Sequence, residues 1–367
     1  MTLADAFVSK RNNFTAVRLL AALAVVLSHA FYISTGVTES EPLISSTGLS
    51  LGGHAVNLFF GISGCLILAS WERHPDPLRF ALARTLRIMP ALIVAACVMV
   101  VSGMWLTQLP LTDYLTSSKL GAFLLKAFSF NARATLPGVF ESQVPTNIVL
   151  MTIWTLKYEV AAYLGVLVFG LIGLTRSRFF YPVALTVCIA AEVALALWPE
   201  IAQKHTSLPH FARFGFCFVL GMSAWRFRAY VRLDGTLFLV AIAALATATL
   251  FGGLPRALLY PAEIYAGLWV ALSPRLPVVG WLQQTDLSYG IYLYGWPISQ
   301  ALQVQWPGVG MPSLVALSMV LAVGAAALSW IMVERPSVRA LPRMTAWAMM
   351  RATKPIIVAP SQNPSNG

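Results

Sequence analysis

The sequence contains few charged residues. Only 11% of its 367 residues are Asp, Glu, Lys or Arg, whereas an average globular chain carries about 25%. So few charges do not cover the surface of a water-soluble protein, which excludes an ordinary cytosolic enzyme. Apolar residues make up 58% of the chain and the mean hydropathy is +0.73, so a disordered protein is excluded as well. The composition predicts a single all-α, polytopic membrane domain.

Cysteine is also scarce, with four residues in the chain. Each cysteine lies in an apolar run, and none has a partner at the short spacing of a zinc or disulfide motif, so we expect packing residues and no metal site. The formal net charge of +11 comes from basic residues scattered between the apolar runs and in the tail. This scatter argues against a nucleic-acid-binding face.

Ten apolar runs are long enough to span a membrane as helices, which need about 20 residues each. They lie near 15–34, 54–71, 86–106, 147–174, 179–198, 208–226, 235–252, 254–273, 286–303 and 311–333. The stretch 120–130 is too short to span and is expected to lie along the interface. We therefore predict a bundle of about ten transmembrane helices over residues 1–340, followed by a basic and then disordered cytoplasmic tail over 341–367.

The loop charges predict the orientation of the bundle. Ten helices place both termini on one side, and that side receives 17 of the basic residues, whereas the opposite side receives 5. Cytoplasmic loops are the ones enriched in Lys and Arg. Both termini are therefore expected in the cytoplasm.

Ionisable residues inside the apolar runs are the first candidates for function, because each costs about 2.5–3.5 kcal/mol to insert. Arg18 and His29 stand 11 residues apart in the first run, close to three helical turns, so they share one face and lie roughly 16 Å apart along the axis. Imidazole exchanges protons near neutral pH. The other ionisable residues inside the runs are Glu159, Glu192, Arg213 and Glu263, with Lys157 and Asp286 at the edges.

Two further patterns have both a functional and a structural interpretation. Arg84 and Arg87, at i and i+3, point the same way from one helical turn, which suits phosphate binding but also fits ordinary positive-inside charge. The stretch Asn57–Gly64 contains Gly61, Ser63 and Gly64. Its small residues permit close helix contact, or alternatively leave a passage for a ligand.

Together these residues resemble the acyltransferase 3 family, whose members are integral-membrane acyltransferases that modify bacterial surface carbohydrates. Six short motifs occur in family order and cover residues 12 to 340. They are Arg18 with Ser28-His29, Phe59-Phe60-Gly61-Ile62-Ser63-Gly64, Arg84-x-x-Arg87-Ile88-x-Pro90, Trp154-Thr155-Leu156-x-Tyr158-Glu159, Ser288-Tyr289-Gly290-Ile291-Tyr292-Leu293 and Glu334-Arg335-Pro336. One departure is Gly295, where many relatives carry a second histidine.

The resemblance implies roles for individual residues. His29 matches the essential histidine of the family and is expected to act as general base or to carry the acyl group, and Glu159 is expected to orient the imidazole or the acceptor from the exterior side. Arg84 and Arg87, with Arg18, are expected to bind the phosphates of a cytoplasmic acyl-CoA, of which acetyl-CoA is the expected form. The donor arm would then pass Ser63. No permanently bound cofactor is expected.

The resemblance also implies a location in the inner membrane of a bacterium. The implied acceptor is a hydroxyl of a carbohydrate or lipid-linked glycan at the outer face of that membrane. A second class of function also fits buried Arg, His and Glu. In a proton-coupled secondary transporter, His29 and Glu159 would form a proton relay. Transfer of a labelled acyl group to a glycan, as opposed to transport without acyl transfer, distinguishes the two functions.

Overall fold

A computed structural model describes residues 1–9, 11–141 and 147–352, with side chains to residue 346. This part of the chain is helical and contains no β-strand, only isolated bridges between Thr2 and Arg232 and between Thr107 and Val139. The all-helical class predicted from the apolar runs is confirmed. The final residues of the predicted tail, 353–367, lie outside the described residues.

Each of the ten predicted runs overlaps one long helix. In chain order these are α1 (Phe14–Thr35), α2 (Leu51–Arg73), α3 (Pro77–Leu106), α4 (Leu156–Leu171), α5 (Phe180–Leu197), α6 (Leu208–Arg226), α7 (Gly235–Phe251), α8 (Arg256–Leu272), α9 (Ser288–Gln305) and α10 (Met311–Ser329). In the described chain, six helices are long and apolar enough to cross a membrane by themselves, and α7 is apolar but shorter. The count of ten spans and the orientation therefore stay predictions.

Shorter helical segments connect the long ones. The α-helical ones are Leu3–Val8, Pro42–Thr47, Leu111–Thr116, Lys119–Phe128, Pro199–Lys204, Arg335–Arg339 and Leu341–Ala352; the 3-10 turns are Thr38–Ser40, Met151–Thr155, Leu174–Arg176 and Gly280–Gln283; and a π-helical turn covers Trp330–Glu334. The helix Lys119–Phe128 corresponds to the run expected at the interface. It buries Phe123 and Ala127, so one of its faces packs against the protein.

Glycines allow α2 to lie directly against its neighbours. A Cβ on Gly64 would lie 2.0 Å from the Phe218 carbonyl oxygen of α6, and one on Gly221 of α6 would lie 1.9 Å from the Gly61 carbonyl oxygen. Gly61 also faces Ile264 of α8 at 2.2 Å by the same measure. Gly61 and Gly64 are therefore packing residues, as small residues between membrane helices often are. The alternative that they border a ligand passage is wrong, because they point to α6 and α8.

Two predicted helix starts differ from the structure in ways that move functional residues. Helix α3 begins at Pro77, nine residues before the predicted start at 86, so Arg84 and Arg87 lie inside a 30-residue helix. Helix α4 begins at Leu156, not near residue 147, because the residues just before it form a 3-10 turn. Leu156 is buried, so Glu159 lies in the first turn of a helix that starts within the bundle.

Candidate active site

Two adjoining cavities lie between α1, α2, α3 and α4. The larger one, the chamber, has a volume of about 210 Å³, and its polar wall is Arg18, Ser63, Arg84, Arg87, Glu159 and Tyr163. The smaller one, the neck, has a volume of about 50 Å³ and continues past Phe59, Thr155 and Tyr292. Both share Arg18, Ser63, Arg87 and Glu159. Five predicted site residues therefore meet around one space.

A carboxylate missing from the predicted set joins two of the arginines. Asp286, two residues before α9, pairs with Arg18 Nη1 at 3.0 Å and with Arg87 Nη2 at 2.5 Å. Its other oxygen accepts hydrogen bonds from the Ser288 amide at 3.1 Å and the Ser288 hydroxyl at 2.6 Å. Each of these four donors stabilises the ionised carboxylate. Asp286 therefore neutralises one of the two positive charges of Arg18 and Arg87, which were expected to bind phosphate.

Arg87 contacts a second carboxylate. Arg87 Nη1 lies 3.6 Å from Glu334 Oε2, and the Ser329 hydroxyl donates to Glu334 Oε1 at 3.1 Å. Glu334 is the first residue of the Glu334-Arg335-Pro336 motif and is 2% exposed. With two carboxylates beside it, Arg87 fastens α3 to the start of α9 and the end of α10.

Arg84 is in a different environment. No carboxylate oxygen in the described chain lies within 4 Å of its guanidinium, and its Nε is buried without a hydrogen-bond partner. The guanidinium lies 5.7 Å from the ring centres of both Phe80 and Tyr163. These ring faces hold the cation through its attraction to π-electrons. Arg84 thus presents a guanidinium without a direct carboxylate contact on the wall of the chamber, where its neighbours are the Tyr163 hydroxyl and, farther away, the Glu159 carboxylate.

Glu159 lies on the same side of the site as the arginines. The Tyr163 hydroxyl, one turn along α4, donates a hydrogen bond to Glu159 Oε1, and the carboxylate lines both chamber and neck. The expectation that Glu159 lies toward the exterior, apart from the arginines, is wrong, because α4 begins at Leu156 within the bundle.

His29 lies beyond the neck. Its ring contacts Trp296 of α9 edge-on, with ring centres 5.0 Å apart, and its Nδ1 is buried without a hydrogen-bond partner. It is on the wall of neither chamber nor neck. Tyr292, which borders the neck, precedes Trp296 by one helical turn on the same face of α9, so one turn of α9 connects the neck to the side chain that contacts the imidazole.

The neck is closed by a polar contact that the sequence did not indicate. Thr155 Oγ1 and the Tyr292 hydroxyl lie 2.7 Å apart, both in buried residues, and the Phe59 and Tyr292 ring centres are 6.1 Å apart. A cavity of about 50 Å³ has room for a few water molecules. A larger group therefore enters only if these side chains move.

Close packing of α9 against α1 explains why position 295 is glycine. A Cβ at this position would lie 2.5 Å from Val26 Cγ2 of α1, so glycine lets α9 approach α1 closely. A histidine here would have to displace the Val26 side chain. His29 therefore has no second imidazole beside it on α9, and it has no hydrogen bond to Glu159 that would form the relay expected of a transporter.

Comparisons with known proteins agree with the motifs. A family profile described as an acyltransferase domain matches residues 11–334. The chain belongs to the acyltransferase 3 family. It is 30% identical to nodulation protein 10 of Rhizobium leguminosarum bv. viciae over 356 residues, which cover 90% of this chain and 94% of that protein. It is 26% identical to an O-acetyl transferase of Shigella phage Sf6 over 344 residues, covering 89% and 96%. No solved structure matches it significantly.

Membership of this family supports a multi-pass membrane O-acyltransferase and makes acyl transfer the better interpretation than transport. The motif residues Arg18, Ser63, Arg84, Arg87 and Glu159 converge in space. Asp286, Glu334, Tyr163, Thr155 and Tyr292 belong to the site but were not predicted as site residues, although Asp286 was noted as an ionisable residue at the edge of a run. Asp286 and Tyr292 had a signal, because they lie next to or within the Ser288–Leu293 motif.

Proposed function

We propose that this protein moves an acyl group, acetyl in the simplest case, from cytoplasmic acyl-CoA to a hydroxyl of a carbohydrate or lipid-linked glycan at the outer face of the bacterial inner membrane. The proposal includes ten spans with both termini in the cytoplasm. The observation that carries it is the Arg84 guanidinium, which has no carboxylate within 4 Å in the described chain, in a chamber bordered by the helix that bears His29.

The donor phosphates bind at Arg84. Arg18 and Arg87 already share Asp286, and Arg87 also has Glu334, so a phosphate there would have to displace a carboxylate. Arg84 requires no such exchange, and its planar guanidinium can form two parallel hydrogen bonds to a phosphate. Arg18 and Arg87 then act mainly by fixing the helices that form the chamber.

The pantetheine arm of the donor occupies the neck. Arg18 and His29 are separated by roughly 16 Å along α1, a gap that an extended pantetheine arm covers. Ser63 borders both cavities and offers a hydroxyl to the amides of that arm. Entry requires the Thr155–Tyr292 hydrogen bond to open, which makes Tyr292 a gate between chamber and imidazole.

The imidazole of His29 acts as a general base at the far end of the arm. None of its ring nitrogens is held by a hydrogen bond within the described chain, so a lone pair is free to take the proton of an acceptor hydroxyl. The hydroxyl oxygen forms a bond to the thioester carbonyl carbon, and the carbon–sulfur bond breaks. The proton then passes from the imidazolium to the departing thiolate, giving an ester and free coenzyme A.

The test uses the purified full chain in lipid nanodiscs with labelled acetyl-CoA and a glycan extract from bacterial envelopes. The proposal predicts a labelled ester with the wild type and its loss with His29→Gln. Arg79→Gln is the matched control, because Arg79 is an exposed arginine on α3 away from the chamber. Full transfer by His29→Gln would contradict the mechanism, and transport of the glycan without any ester would contradict the function.

A further inference from the structure

A second cluster of ionisable and polar residues lies toward the N-terminal end of α2. Its members come from four helices, α2, α5, α6 and α8, and none lines the chamber or the neck. They are His54, Asn57, Glu192, Arg213, Arg256 and Glu263. The chamber residue of α2 closest to His54 along the helix is Ile62, eight residues later, roughly 12 Å along the axis, whereas Val56 of the same helix borders the neck. The cluster therefore lies outside the donor chamber and beside the neck.

Both carboxylates of this cluster are already paired. Glu192 Oε2 lies 3.1 Å from Arg256 Nη1. Glu263 Oε1 lies 2.5 Å from His54 Nδ1, and Glu263 Oε2 accepts from the Asn57 amide at 3.0 Å. Buried charges are expected to be paired in this way.

His54 also joins Thr47 to this pair. Its Nε2 lies 2.8 Å from Thr47 Oγ1, and Thr47 Oγ1 lies 2.8 Å from Leu43 O and 3.0 Å from Leu49 O. The ring therefore links the segment before α2 to Glu263 of α8.

Arg213 is the member left without a partner. It is 8% exposed, its Nε is buried with no hydrogen bond, and no carboxylate in the described chain lies within 4 Å of it. Its guanidinium lies 4.5 Å from the Phe214 ring centre, and Nη1 lies 3.5 Å from where a Cβ on Gly53 would be. Arg213 therefore has no carboxylate contact in the described chain, unlike Arg256, which pairs with Glu192.

One buried hydroxyl beside Arg213 also lacks a partner. Tyr260 Oη is buried without a hydrogen bond, and Tyr260 is close enough to Arg213 to interact with it. A hydroxyl donates to an anion as a guanidinium does. A buried cation is costly in a membrane, and unused donors beside it indicate a place where an anionic group binds.

Aromatic rings flank this cation at the start of α6. His210, one turn before Arg213, lies 4.6 Å from Trp154 between ring centres, and Trp154 lies 5.7 Å from Phe214. Lys157 is exposed, and its Nζ contacts the Ser207 hydroxyl at 3.3 Å. Rings of this kind pack against the C–H faces of sugars, and the two cations favour a negative charge beside the sugar.

We propose that the cluster around Arg213 is the acceptor site and that the acceptor is anionic. This inference rests on the proposed function, since it names the substrate class of the same reaction. The anionic group is a carboxylate on the sugar or a phosphate of a lipid carrier, because both match the planar donors of a guanidinium. Arg213 binds that group, and the rings of Trp154 and His210 hold the adjacent sugar.

The test measures binding without turnover, by titration calorimetry on the full chain in nanodiscs. Two matched pairs of probes separate the sources of charge: methyl glucuronide against methyl glucoside, and farnesyl phosphate against farnesol. We expect the anionic member of at least one pair to bind at least about tenfold more tightly, which corresponds to one charge-assisted contact. A preference within the glucuronide pair would identify a sugar carboxylate as the anionic group, and a preference within the farnesyl pair would identify a lipid phosphate. Equal binding within both pairs would overturn the proposal.

Variants connect the preference to Arg213. Arg213→Gln should abolish it, Arg213→Lys should retain part of it, and Lys204→Gln, which removes an exposed charge elsewhere, should leave it intact. A preference that persists in Arg213→Gln would also overturn the proposal. These binding measurements need no acyl donor. Absence of acyl transfer by the wild type would therefore contradict the proposed function without deciding whether Arg213 binds an anion.

Discussion

Replacing each arginine of the Arg84–Arg87 pair by glutamine should give opposite results, although the two are one turn apart on the same helix. Arg84 has no carboxylate partner in the described chain, so Arg84→Gln should leave the thermal stability nearly unchanged. A charge-assisted hydrogen bond to phosphate contributes about 1.5–3 kcal/mol. Coenzyme A should therefore bind roughly 10- to 150-fold more weakly to Arg84→Gln.

Arg87→Gln should instead destabilise the fold. Arg87 is paired with Asp286 at 2.5 Å and with Glu334 at 3.6 Å, and the exposed fractions of these three side chains are 18%, 16% and 1%. Removing one partner of such a buried group leaves the others uncompensated, at a cost of about 3–5 kcal/mol. Asp286 retains Arg18 at 3.0 Å, so the lower part of that range is expected.

Two measurements separate the roles: thermal unfolding of the full chain in nanodiscs, and calorimetric titration with coenzyme A. Arg79→Gln again serves as the control, with neither quantity changed. A lowered melting temperature for Arg84→Gln, or a stable Arg87→Gln with the larger loss of coenzyme A affinity, would refute the assignment of Arg84 to the ligand and Arg87 to the fold.

The remaining predictions concern the neck and the packing of α2. Tyr292→Phe removes the hydroxyl that lies 2.7 Å from Thr155 Oγ1. We expect about 1 kcal/mol of destabilisation and a changed kcat, with an unchanged affinity for coenzyme A. An unchanged kcat would contradict the role of Tyr292 as a gate. Gly64→Ala puts a methyl group 2.0 Å from the Phe218 carbonyl oxygen and should destabilise the protein by about 1–3 kcal/mol, whereas Gly215→Ala, with nothing within 4 Å, should not. Equal melting temperatures for the two alanine variants would show that α2 and α6 can separate freely.

The sequence predicted the long helices well because hydropathy is a local property of each run. It also brought together the correct motif residues, since Arg18, Ser63, Arg84, Arg87 and Glu159 line one chamber. It did not predict how Arg84 and Arg87 differ. The partner that distinguishes them, Asp286, is 199 residues from Arg87, and one sequence does not show pairs at such a separation.

Helix starts were the other source of error. Polar and proline-containing residues at 77–85 continue α3 because its N-terminus is capped by Asp76, whose side chain accepts from the Arg79 amide. The first residues of the predicted fourth run do not form an α-helix. As a result, Glu159 lies in the first turn of α4 beside the arginines and not where the run predicted it. His54 was missed as a functional residue because it stands at the edge of an apolar run and its partner Glu263 is 209 residues away.

The most direct test of the central claim is acyl transfer in sealed proteoliposomes of known orientation. Labelled acetyl-CoA is supplied on the side of the chamber and the glycan acceptor on the other side, and the labelled ester is counted for wild type and His29→Gln. The account predicts an ester only for the wild type, and only with donor and acceptor on opposite sides. Ester formation with both substrates on one side alone, or undiminished transfer by His29→Gln, would contradict it.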